Sequence, residues 1–201
     1  MVDVPRMCLH DNAISRIVVG RSIATVAELC FAAQWALLLR EADTRAAALA
    51  SRLVVPLIVA AEVFSWAAVT SGDYLLHAVE NSLWTLAAAL AIAGFGSLLL
   101  RRPEGAAARF AAAAVVGGAI YVGFMVTVDV PMYIARWHAA GDRGLPLAEQ
   151  LHTLVARCVV VRDWAAWRED ALWLSLYFTC GVWVSVAIAH APRLGPARSA
   201  S

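Results

Sequence analysis

The sequence predicts an all-α, polytopic transmembrane bundle of about five membrane-spanning helices with a short interfacial amphipathic helix. Three observations predict it. Hydrophobic residues make up 62% of the 201 and the mean hydropathy is +0.70, whereas soluble domains run nearer half apolar. Five windows of about 20 apolar residues, the length that crosses a bilayer core, lie at roughly 20–39, 53–71, 75–100, 108–132 and 171–190. Between the first four windows the chain offers only short polar turns, which suit antiparallel helical neighbours. The whole chain is read as a single integral membrane domain.

The threading follows from these windows. The starting side is called X and the opposite side Y. Met1–Asn12 is polar and mixed, without the pattern of a cleaved signal, so the first crossing is expected to serve as its own insertion signal. Crossing one ends at Arg40 on Y, and 41–52 turn the chain back. Crossing two emerges on X at Ser71-Gly72-Asp73. Crossing three exits at Arg101-Arg102-Pro103 on Y. Crossing four returns to X, where a long segment, 134–170, remains. Crossing five delivers the C-terminus to Y.

In the long X segment, Leu147, Leu151, Leu154, Val155 and Cys158 recur at helical spacing behind Pro146, predicting a short helix that lies along the membrane surface as a lid or an anchor. Tyr133, Trp137, Trp164 and Trp167 flank it as an interfacial aromatic belt. Ala89/Ala93/Ser97, Ala113/Gly117 and Ala114/Gly118 predict close packing of crossings three and four.

Charge orients the chain weakly. Arginines divide evenly between the two sides, but those on Y crowd beside crossings, where orientation bias is read; Y is expected to be cytoplasmic and X outside. All sixteen basic residues are arginine, which suggests a GC-rich bacterial genome and hence an inner membrane. Cys8 and Cys158 both fall on X, and an oxidising X side would allow a disulfide between them; two unpaired thiols are the alternative. A net charge of +1 makes no case for nucleic acid as a partner.

Function is expected where the apolar pattern breaks. Glu28, Glu62, Glu80 and Asp129 stand inside the crossings, and each carboxylate at bilayer depth costs a few kcal/mol. Measured from the turns, all four fall in the X half, with Asp170 at the start of crossing five. His77, Glu80, Asn81 and Trp84 share one helical face; so do Thr25, Glu28 and Trp35, then Glu62, Ser65 and Trp66, and in crossing five Asp170, Tyr177 and Gly181. One polar layer is the economical reading, with Asn81, Asp170 and Tyr177 as secondary members.

Three uses of that layer are open. His77-x-x-Glu80 presents two ligands from one helix, and with Asp129 it forms a candidate site for Fe, Mn or Zn. Glu28 and Glu62 then supply acid–base chemistry in a metal-dependent membrane enzyme acting on a lipid-like substrate. The acids are alternatively a relay in a proton- or cation-coupled transporter. They are otherwise interhelical glue in a non-catalytic assembly or accessory subunit, paired with Arg21, Arg136, Asn81 or Gln34. The lipid bilayer is the expected partner, with a homo-oligomer or a membrane partner subunit as further possibilities. Phosphate loops, nucleophile elbows, His-Glu-x-x-His helices and Cys-x-x-Cys pairs are absent from the sequence.

Overall fold

The computed structural model describes residues 7–140, 149, 152 and 158–194, with the backbone alone for 7, 169–174 and 176–178. Five long helices dominate: α1 (Ile17–Glu41), α2 (Arg45–Ser71), α3 (Tyr74–Leu99), α4 (Gly105–Ala140) and α5 (Trp164–Ala189). Helices α1 to α4 are each long and apolar enough to cross a membrane, and the apolar stretch Thr179–Ala189 belongs to α5. The protein is an all-α, multi-pass membrane bundle. Its outer surface agrees with that solvent: Ile23, Val63, Val116, Ile120 and Val182 are exposed along the helices, where acyl chains rather than water meet them.

Local chemistry sets the helix ends. The Thr44 hydroxyl accepts from the Ala47 N–H at 3.1 Å and opens α2. Gly72 closes α2 in the left-handed region at φ 73°, a conformation open to glycine without the Cβ clash. Asp73 then accepts from the Leu75 N–H at 2.8 Å to start α3, so the hairpin turns within two residues. Asp163 caps α5 through the Ala165 N–H at 3.0 Å.

The helices extend past the apolar windows. The fourth window stops at 132, but α4 runs on to Ala140 through Pro131. A π-helical turn at Met125–Asp129 precedes the proline, and the Val130 N–H bonds back to Met125 across the widened ring. Proline lacks an N–H and crowds the preceding turn, and a wider turn relieves both demands without ending the helix. The interfacial helix expected over 147–158 lies outside the described residues, apart from Glu149, His152 and Cys158.

On side X the N-terminal arm is fastened to the chain entering α5. Strand β1 (Met7–Cys8) pairs in parallel with β2 (Val159–Val160), Met7 opposite Val159 and Cys8 opposite Val160. A disulfide joins Cys8 to Cys158, S–S 2.02 Å and Cα–Cα 5.8 Å. Cys30 and Cys180 are free thiols.

The bundle divides into unlike halves. Toward Y, the buried residues are mainly apolar, Leu38, Leu39, Ala47, Ala50, Val54, Ile58, Phe95 and Leu98 among them, with the capping Thr44 as a buried polar residue. Phe31, Trp35, Phe95 and Phe110 meet edge to face there, with ring centroids 5.5 to 6.1 Å apart. Toward X the buried residues include Glu62, Ser65, His77, Glu80 and Asp129. The peripheral helix α5 hydrogen-bonds to α1 through Ser185 and Gln34 at 2.7 Å.

Close approach in the Y half rests on Gly94. A Cβ there would stand 2.7 Å from Leu39 Cδ2 and 3.2 Å from the Ala47 Cα. Gly94→Val is expected to lower stability by about 1–3 kcal/mol, as overpacking does. Gly96→Ala, where a Cβ meets nothing within 4 Å, serves as the control. Thermal unfolding of the detergent-solubilised variants checks this, and equal melting temperatures would count against it.

Candidate functional site

The first part of the X-half layer is built by α1 and α2. Arg21, Thr25 and Glu28 fall at i, i+4 and i+7 and form one stripe of α1. Glu62, Ser65 and Trp66 stand opposite on α2. The Arg21 Nη2 group donates to Glu28 Oε2 at 2.9 Å and to Glu62 Oε2 at 2.6 Å. Thr25 also donates to Glu62 Oε2 and receives the Trp66 indole N–H at 3.0 Å. The two carboxyl groups thus share one nitrogen of Arg21.

The second part belongs to α3 and α4. His77 and Glu80 are neighbours on one face of α3, and Nδ1 lies 3.1 Å from Glu80 Oε2. With Glu80 ionised the carboxylate can only accept, so in the neutral imidazole Nδ1 would donate and Nε2 would carry the lone pair. The Tyr133 ring stacks on the imidazole at 5.2 Å between centroids, and the Arg136 guanidinium lies 6.0 Å from the Tyr133 centroid. Asn81 donates from Nδ2 to Asp129 Oδ2, which ties α3 to the π-helical turn of α4. Glu80 lies between the two parts, near Arg21 and Glu28 on one side and Asp129 on the other.

Burial makes these contacts matter. Exposure is 4% for Glu62, 3% for His77, 9% for Glu80 and 7% for Asp129. The carboxylates therefore point into the protein rather than toward lipid. Four side-chain atoms are buried without a hydrogen-bond partner among the described residues: Arg21 Nε, Glu62 Oε1, Ser65 Oγ and His77 Nε2.

The sequence-predicted residues thus gather in two sets. Glu28 and Glu62 come together, but around a guanidinium. His77 pairs with Glu80, and Asp129 with Asn81. Among the described residues, no group of three or more His, Cys, Asp or Glu side chains is arranged to hold a metal ion. The side chains of Asp170 and Tyr177 lie outside the described ones. Sequence reasoning gave Arg21 only as one of four optional partners and put Tyr133 in the aromatic belt. The i, i+4, i+7 stripe of Arg21, Thr25 and Glu28 was the available signal for the first; the i+4 spacing of Asp129 and Tyr133 was the signal for the second.

Arg21→Met leaves two buried carboxyl groups without their cation and is expected to lower stability by up to about 3–5 kcal/mol. Adding Glu62→Gln to Arg21→Met is expected to recover part of that loss. Thermal unfolding of the single and double variants in detergent checks the coupling, and strictly additive losses would contradict it. No known protein family, curated protein or solved structure matches the chain.

Proposed function

We propose that this protein is a membrane-embedded enzyme acting on a lipid-like substrate in the X half of the bilayer, with His77 as general base. The observation that carries the reading is the placement of the two nitrogens of the imidazole. Its Nδ1 is held by Glu80, while Nε2 is buried with no partner among the described residues. A histidine used only as interhelical glue has no reason to leave that atom unsatisfied, since a buried orphan costs about 1–3 kcal/mol.

The chemistry follows from the pair. Glu80 selects the tautomer and steadies the imidazolium formed when Nε2 takes a proton from a bound hydroxyl or water. Stacking against Tyr133 restrains the ring. Such a base contributes about 10²–10⁴-fold to a rate. His77 lies in the first turn of α3, about 5 Å below the helix start at 1.5 Å per residue. That depth suits the headgroup end of a lipid-like substrate.

A metal at the same imidazole is a second reading, favoured by the same contact. Metal-ligating histidines commonly donate their other N–H to a carboxylate, as His77 does to Glu80. Nε2 would then be the ligand, with Fe, Mn or Zn as candidates.

His77→Gln is expected to keep the fold and abolish turnover. The check is a lipid profile of membranes from cells expressing wild-type protein or the variant. A lipid species changed by wild type and unchanged by His77→Gln supports the reading, and indistinguishable profiles overturn it. Metal analysis of the purified protein separates the two forms, because stoichiometric metal lost in His77→Gln selects the second.

We also propose that X is the exterior side of a cell membrane, with the C-terminus in the cytoplasm. The Cys8–Cys158 disulfide supports this, because such bonds persist in oxidising compartments. A membrane-impermeant maleimide added outside intact cells is expected to label Cys8 and Cys158 after external reduction. Labelling that requires membrane disruption would reverse the assignment.

A further inference from the structure

We infer that Glu28 and Glu62 form a carboxyl–carboxylate pair that binds one proton between α1 and α2, making a proton-binding site within the bilayer. Both Oε2 atoms bond the same nitrogen of Arg21, so the two groups stand within two hydrogen-bond lengths of each other. One guanidinium balances one carboxylate. The second carboxylate has no further cation among its hydrogen-bond partners, which are Arg21 and Thr25.

The unpartnered atom says where the proton goes. Glu62 Oε2 already accepts from Arg21 and Thr25, while Glu62 Oε1 is buried with no donor among the described residues. A proton on Glu28 supplies that missing donor. It also brings the cluster of Arg21, Glu28 and Glu62 to zero net charge, the state a low-dielectric interior favours. The other ionisable groups near the pair lie on α3 and α4. They are Glu80 on α3 with His77 beside it, and Asp129 on α4 beside Asn81.

This site is separate from the imidazole proposed as base, and its test does not depend on turnover. Infrared spectroscopy of the purified protein in lipid is expected to show a protonated-carboxyl C=O band near neutral pH that bleaches as pH rises. Glu28→Gln is expected to remove the band and leave thermal stability unchanged, because the amide N–H still donates to Glu62 Oε1. Glu62→Gln is also expected to remove it, since Glu28 then ionises beside Arg21. A lipid-soluble carbodiimide, which attacks protonated carboxyl groups, is expected to modify Glu28 in the wild type, read by peptide mass mapping. Absence of the band from the wild type, or its persistence in both folded variants, overturns the proposal. An unreacted Glu28 under conditions that modify another buried acid also overturns it. Activity lost in His77→Gln with the band intact would show that the base and the proton site stand independently.

Discussion

Arg21 reaches two helices with one nitrogen, and the arrangement of the X half depends on that contact. A bilayer core offers no water to a stranded charge, so every ionisable group placed there must find its partner within the protein. Arg21 lies in the first turns of α1 and carries its charge inward to meet Glu28 on its own helix and Glu62 on the next. Thr25 and Trp66 complete the contact, each bond crossing from α1 to α2. The result fixes the rotation of both helices about their axes, because either helix turned by a third of a revolution would offer its carboxylate to lipid.

The same demand explains why the two halves of the bundle are built differently. In the Y half, small residues let α1, α2 and α3 approach until Leu39, Ala47 and Gly94 touch, and dispersion holds them. In the X half, polar bonds replace close packing: Arg21 with Glu62 across α1 and α2, and Asn81 with Asp129 across α3 and α4. Rigid apolar packing at one end supports a polar cluster at the other. The π-helical turn belongs to this design, since Asp129 closes it and is buried against Asn81. Irregular backbone is tolerated at membrane depth where protein covers it.

Much of this was legible in the residues. Hydropathy placed the four long apolar helices because the bilayer sets their length, and the Gly72-Asp73 turn was readable because glycine and a capping acid carry local meaning. The carboxylates drew attention because they interrupt apolar runs. What could not be read was pairing. Glu28 presents the same face of α1 whether it meets a metal ion, a proton or Arg21, and only the third dimension brings Arg21 to it. Helix ends were misjudged for a related reason. Hydropathy reports where the lipid stops, while hydrogen bonding continues, so α4 runs through Pro131 to Ala140 and α2 begins at Arg45, ahead of its apolar window. The role of Tyr133 was hidden likewise, since a tyrosine near a helix end fits an interfacial belt as well as an imidazole.

The link between Cys8 and Cys158 carries a consequence for biogenesis. It spans a sequence separation of 150, so the covalent ring encloses α1 through α4. Cys8 precedes α1, so its partner thiol follows only after four helices have been made. The ring can close only when an even number of crossings has returned the chain to the side where it started. The bond therefore records the parity of threading: a closed ring requires both of its ends to stand on one face of the bundle.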